Sequence, residues 1–252
     1  MRTYRQSQWH GIQFQSFLKT RAFSFANSEF YDQFYSEFYR RYVTWAFLDP
    51  KWLKEKTRLA HFISSRVSGV EEPSILSIGC GIGAIERELI KYCKKLEVTE
   101  VTSTPLRWLK QENPELATYI GFFPEAVPVE NRYSMIYLSA VEYCFDRSSL
   151  VRLISSMLPY LMPNGHCLII SASCEPDTPS WITRTVRETL QIVAMALRLR
   201  PGQQLWGFMR TATEIIETVQ SAGFEVVESG WIDSKLYWVE GRKASAQVGK
   251  VI

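Results

Sequence analysis

Three glycines within five residues, Gly79-Cys80-Gly81-Ile82-Gly83, follow the apolar run Pro73–Ile78 and precede a helix-forming stretch, Ala84–Leu96. Glycine belongs where the chain must take dihedrals that side chains disfavour, or where backbone must lie against a bound group. A strand that runs into such a turn and then into a helix is an arrangement for holding a cofactor. The dinucleotide fingerprint G-x-G-x-x-G would place its third small residue at Ala84, which alanine satisfies, so the turn alone leaves a nicotinamide cofactor open.

Residues able to move a proton are few. His10, His61 and His166 are the only histidines. His166 opens a strand, at the end away from the ligand crevice of an open α/β sheet, and reads as structural. His61 reads as a surface or packing residue on a helix, and His10 as a candidate base on a segment able to fold over a site. Glu142 and Tyr143 follow the candidate strand Ser134–Ser139, and Glu175 follows Cys167–Ser171, addresses from which side chains reach a ligand. Trp206 and Arg210 lie in a long insertion, around residues 174–210, where they either shape a pocket or, for Arg210, sit as a solvated charge before a helix. The five cysteines are odd in number and form no C-x-x-C pair, so neither disulfides nor a metal site is expected.

The elements that must position these residues alternate from about Ser74 onward. Candidate strands Ile75–Ile78, Glu97–Thr102, Thr118–Phe122, Ser134–Ser139 and Cys167–Ser171 are separated by helical patterns, the mark of a mostly parallel sheet. Thr104-Pro105 and Asp146, before Arg147–Leu161, read as helix starts. Thr211-x-x-Glu214 reads as a capping box, with Gly223 ending that helix. The last two candidate strands, Glu225–Trp231 and Leu236–Glu240, are too close together for a parallel crossover and must form an antiparallel hairpin. Residues 1–70 form a separate aromatic-rich region before the 71–252 core. Phe30, Tyr31, Phe34, Tyr35, Phe38, Tyr39 and Tyr42 recur at helical spacing, and a second helix from Asp49-Pro50 carries Trp52, Leu53, Leu59, Phe62 and Ile63. These helices either pack on the sheet or form a lid whose ring faces attract a cation.

Several segments in this order resemble the class I S-adenosylmethionine (SAM)-dependent methyltransferase superfamily, of the type acting on small molecules. Pro73–Gly83 resembles its first strand and G-x-G-x-G turn, Tyr133–Val141 its fourth strand, Leu161-Met-Pro-Asn-Gly165 its L-x-P-G-G turn, and Ser221-Ala-Gly-Phe224 the run leading into its sixth strand. The resemblance covers about Pro73 to Arg242. It implies a Rossmann-like, seven-stranded, mostly parallel sheet with an antiparallel terminal hairpin and an N-terminal helical lid. It further implies SAM as cofactor, touched by Ser77, Gly79, Cys80, Gly81, Gly83, Thr102, Ser103, Phe122, Phe123, Ser139 and Ala140. Tyr31, Tyr35, Trp206 and Arg210 would line the lid or acceptor pocket, and Glu142, Tyr143 and His10 would be the catalytic candidates. The sequence departs from the family's acids at four places: Ser77 before the glycine turn, Thr102 at the end of the second strand with Glu100 two residues earlier, Phe122 or Phe123 after the third, and Ser134 at the start of the fourth.

Composition narrows the classes. With 252 residues the chain accommodates one large domain, and 46% hydrophobic with 22% charged residues is ordinary for a globular enzyme. A net charge of +3, with both signs mixed, is no footprint of a nucleic-acid binder, and no apolar run approaches the roughly 18 residues of a membrane helix. The expectation is a cytoplasmic enzyme of small-molecule metabolism, of undetermined oligomeric state, that transfers the SAM methyl group to an oxygen, nitrogen or carbon. Two alternatives stand beside it: a SAM-cleaving lyase or cyclase acting on the aminocarboxypropyl arm, and a non-catalytic partner subunit with the same fold.

Overall fold

The computed structural model describes residues 2–17, 25–172, 174–175, 203–233 and 236–243, with single residues and short runs between 186 and 199. The N-terminal region contributes β1 (Arg2–Gln6), β2 (Gln8–Trp9), β3 (Ile12–Gln13), α1 (Ser28–Arg41) and α2 (Pro50–Ser65). The core follows as β4 (Ser74–Ile78), α3 (Glu86–Leu89), β5 (Lys95–Glu100), α4 (Arg107–Glu112), β6 (Ala117–Ile120), β7 (Tyr133–Ser139), α5 (Arg147–Ser155) and β8 (Leu161–Ser171). It closes with β9 (Cys174–Glu175), β10 (Gln204–Thr211), α6 (Ala212–Ser221), β11 (Phe224–Ile232) and β12 (Leu236–Lys243).

Seven strands form the main sheet in the order β11-β12-β8-β7-β4-β5-β6. Pairing is parallel from β8 to β6, and β12 runs antiparallel to both β8 and β11. The terminal hairpin therefore sets one reversed strand into an otherwise parallel sheet, as expected. Every residue of β4 is buried, because helices cover both faces of the sheet and leave its central strand no solvent side. On one face Leu150, Ile154, Ile215 and Val219 of α5 and α6 pack on Ile136 and Ile169; on the other, Leu59, Ile63, Leu89 and Leu109 pack on Ile75 and Val98. The chain order reverses at β4, between β7 and β5, and a ligand crevice opens beyond the carboxyl ends of strands at such a point.

The start signals mostly act as their chemistry dictates. Asn27, Asp49 and Asp146 accept the Phe30, Lys51 and Ser149 amides at 3.0, 2.9 and 2.7 Å, and Thr211 with Glu214 forms the reciprocal capping box. Gly223, at φ +91°, ends α6. Thr104 differs: its hydroxyl bonds Asp32 of α1 at 2.5 Å, tying the N-terminal region to the core instead of capping α4. The helices are also shorter than their patterns suggest. The stretch expected as Ala84–Leu96 yields only α3 before β5 begins at Lys95, and Arg147–Leu161 yields α5 followed by a 3-10 turn at Leu158–Tyr160.

A second sheet lies outside the reading from sequence. β10 pairs antiparallel with β1 and parallel with β9, so the N-terminus and the insertion are joined by backbone hydrogen bonds. Over the carboxyl end of the main sheet sits a third core, mostly aromatic, in which Phe14, Phe30, Phe34, Phe38, Trp45 and Trp206 are buried.

Candidate functional site

The crevice is a cavity of about 390 Å³. Its floor is Gly79–Ile82 and Ser139–Val141, its side is Glu100, Val101, Thr102 and Phe122, and its roof comes from Trp9, His10, Tyr31, Tyr35, Phe38, Trp52 and Lys56. The size falls within the range of small-molecule sites, about 300–1,000 Å³, and aromatic walls suit a mostly enclosed ligand.

The glycine turn follows from its dihedrals. Gly79, Gly81 and Gly83 all have positive φ, at +70°, +59° and +77°. Their roles differ. A Cβ on Gly81 would meet only the Tyr35 hydroxyl, at 3.0 Å, so this backbone is bare towards the roof. A Cβ on Gly83 would lie 2.4 Å from Leu109, which makes Gly83 a packing residue between the turn and α4, and it does not line the cavity.

At the end of β5, Glu100 Oε2 accepts the Gly81 amide at 2.8 Å and Oε1 accepts the Val101 amide at 2.9 Å. Burial pushes its pKa up, opposed by these two donors. The acid expected at the second strand's end is thus present: the strand stops two residues earlier than Glu97–Thr102 implies, and Thr102 lines the cavity behind it. Ser103 is exposed and does not line the cavity. The neutral residue at Ser77 is likewise compensated. Ser77 is buried, faces away from the cavity and donates to Glu86 at 2.7 Å, while Tyr137 donates to the same carboxylate. A carboxyl group thus lies beside this strand position, supplied by α3, and Ser77 does not line the cavity. Ser134 accepts the Ser74 amide at 3.2 Å, at the end of β7 away from the cavity.

Of the two phenylalanines after β6, Phe122 is 61% exposed and lines the cavity, whereas Phe123 is buried in the core with its ring 5.1 Å from Tyr160. Phe122 alone can offer a ring face to a ligand. After β7, Ser139 and Ala140 line the floor, and Ala140 holds the left-handed conformation at φ +56°, which costs a non-glycine residue energy and brings the following turn under the roof.

That turn corrects two further expectations. Tyr143 reaches the cavity, but Glu142 points into the protein, where Ser171 donates to its Oε1 at 2.7 Å, so Glu142 is not placed to take a proton from a ligand. Arg210 is only 2% exposed. Its guanidinium donates to the carbonyls of Glu142, at 2.8 Å, and Phe145. It is neither a pocket residue nor a solvated charge, but the clamp that holds the turn against β10. Gly207 lets β10 approach the turn there, since a Cβ would fall 2.1 Å from the Tyr143 carbonyl oxygen. Trp206 sits behind the wall, stacked on Phe14 at 5.0 Å and 2°, and supports Tyr31 and Tyr143 without lining the cavity.

Tyr31, Tyr35 and Tyr143 are neutral phenols, burial raising each well above the usual range, and burial pushes the Cys144 thiol up to about 12. His10 does face the cavity, its ring edge-to-face with Trp52 at 4.9 Å and with Phe38 at 5.4 Å. Burial, then the Lys56 charge, lower its pKa to about 4, so its imidazole is neutral at physiological pH. The unfolded chain takes up this proton near pH 6.5 and the folded chain only near 4. Stability from His10 is therefore complete above pH 6.5 and declines towards pH 4, by up to about 3 kcal/mol. Denaturant unfolding of His10→Phe should show a shallower acid loss than the wild type. Glu86 and Glu100, raised by burial, act in the opposite sense in both proteins and cancel from the difference. Equal slopes would place His10 in water.

His61 is exposed beside Tyr92, and His166 is buried in β8 away from the cavity, as expected of both. The Glu175 backbone lies in β9 opposite Thr211, and its side chain lies outside the described residues, as does most of the insertion before residue 203. Lys56 and Trp52, one turn apart on α2, are cavity residues that sequence reasoning did not single out as such; their shared helix face was the available signal.

No family model matches the chain, and no curated protein matches it significantly. Solved structures do. The mitomycin 7-O-methyltransferase MmcR aligns at TM-score 0.58 and 18% identity, over 86% of this chain and 57% of its own. Human N-acetylserotonin methyltransferase in complex with SAM aligns at 0.50 and 16%, over 77% and 57%. Magnesium protoporphyrin IX methyltransferase ChlM from Synechocystis PCC 6803, with bound S-adenosylhomocysteine (SAH), aligns at 0.60 and 12%, over 86% and 97%. The chain thus spans little more than half the length of the first two. At these identities the likeness establishes the architecture, and the chain has the class I methyltransferase fold. No helix among the described residues is long and apolar enough to cross a membrane.

Proposed function

We propose that the chain is a SAM-dependent methyltransferase acting on an oxygen, nitrogen or carbon of a small, largely apolar acceptor. The observation that carries this reading is the coincidence, in one cavity, of a bare glycine turn, a half-buried strand-end carboxylate and an aromatic roof. Gly79, Cys80 and Gly81 would lie along the cofactor. Each Glu100 oxygen retains a lone pair beyond its backbone donor, able to accept from a ribose hydroxyl. Phe122 would cover the adenine, and Thr102, Ser139 and Ala140 would complete the contact. When bound, SAM supplies a methyl group already activated by its sulfonium charge.

What remains for the protein is alignment, exclusion of water and, for a protonated acceptor, removal of a proton. Tyr31, Tyr35 and Tyr143 present ring faces and neutral hydroxyls, which attract a cation without offering a nucleophile that competes with the acceptor. Neutral His10 can accept a proton from an acceptor hydroxyl or amine on the roof side. SAM carrying a deuterated methyl group, incubated with the protein and a low-molecular-mass metabolite extract, should yield SAH and one or more labelled metabolites by mass spectrometry. Methylthioadenosine in place of SAH would overturn methyl transfer in favour of cleavage at the aminocarboxypropyl arm.

A further inference from the structure

Among the described residues, two charged side chains line the cavity, Glu100 and Lys56, and the cofactor reading uses only the first. Lys56 projects from α2, the last helix before the core, which packs against α3 beyond the glycine turn. Its side chain is 15% exposed, its ammonium lies 5.1 Å from the Trp52 ring centre, and one of its three N–H groups donates to the Glu55 carboxylate at 3.3 Å. Its charge is felt at His10 on the roof and at Glu86, the first residue of α3. Ile82, Ala84 and Ile85, where the turn continues towards α3, also line the cavity. Glu100, by contrast, is bonded to Gly81 within the turn.

The cavity therefore offers an acceptor-only carboxylate on the β5 side of the glycine turn and a donor-only ammonium on the α2 and α3 side. S-adenosylmethionine has the complementary order: a ribose diol that donates, then a flexible arm ending in a carboxylate that accepts. An acceptor-borne anion would also suit a lysine. The place of Lys56, beside the residues that continue the turn into α3, favours the arm. We infer that Lys56 holds the carboxylate of the cofactor's aminocarboxypropyl arm and so distinguishes whole cofactor from its truncated nucleoside. This rests on the cofactor reading above. Lys56 acts as a binding residue that fixes the sulfonium's position, with no part in bond making.

The test is calorimetric titration of the wild-type chain, Lys56→Met and Lys56→Arg with SAH and with 5′-methylthioadenosine, which lacks the arm. Methionine keeps the aliphatic stem over Trp52, and thermal melts report whether each variant is folded. Loss of one charge-assisted contact should weaken SAH by about 10- to 100-fold in Lys56→Met and leave methylthioadenosine within about twofold. Lys56→Arg should recover most of the SAH affinity. Unchanged SAH affinity in Lys56→Met would overturn the inference, and so would equal weakening of both ligands, the result of a merely structural lysine. Failure of the wild-type chain to bind SAH would bring down the cofactor reading itself, a result separate from either.

Discussion

Replacing Arg210 by methionine should destabilise the protein by roughly 2–5 kcal/mol, seen as a lower urea midpoint. The guanidinium is buried and spends its donors on two backbone carbonyls, those of Glu142 and Phe145, which flank the turn carrying Tyr143. Methionine fills much of the same volume but donates nothing, so both carbonyls lose a charged partner, the Glu142 carbonyl in a buried place and the Phe145 carbonyl in a partly buried one. Desolvation also lowers the Arg210 pKa, against the field of Glu142, which marks the site as one where a charge is held at a cost. A change below about 0.5 kcal/mol, the size of an ordinary surface substitution, would show that the carbonyls find other donors.

The second large effect concerns Gly81. Gly81→Val should lower affinity for SAH by roughly 100-fold or more while the chain stays folded. A β-branched residue is strained at φ +59°, and its methyl groups would enter the space between the turn and the Tyr35 hydroxyl. Gly69→Val is the matched control, since a Cβ there meets nothing within 4 Å. Wild-type affinity in Gly81→Val would remove the turn from the binding site.

The features legible in the sequence were those written locally. The glycine turn, the caps of α2, α5 and α6, the terminal hairpin and the aromatic face of α1 all depend on residues within a few positions of one another. What escaped depends on partners far apart in the chain. Ser77 reads as a missing acid until Glu86 is seen beneath it, and Thr102 reads as the strand-end residue until the register Ile78 opposite Thr99 puts Glu100 beside the turn. Adjacent Phe122 and Phe123 cannot be told apart by type, and only the path of the chain sends one into the core and leaves the other at the cavity.

The β1–β10 pairing was the least visible element. β1, Arg-Thr-Tyr-Arg-Gln, is too polar to look like a strand, and β10 carries a glycine in its middle. Each is explained by the other and by the turn they brace: Gly207 admits the Tyr143 carbonyl, and Arg210 reaches past it. Residues that hold the site, as distinct from those that face it, were accordingly misread as pocket residues. Arg210 and Trp206 sit at the right address but point into the protein.

The cavity at the carboxyl ends of β4 and β5 is the proposed SAM site. Its most direct test is calorimetric titration of the wild-type chain with SAH, with SAM as competitor and NAD as comparison. One SAH site per chain is expected, displaced by SAM and indifferent to NAD. Absence of SAH binding, or binding of NAD in its place, would contradict it.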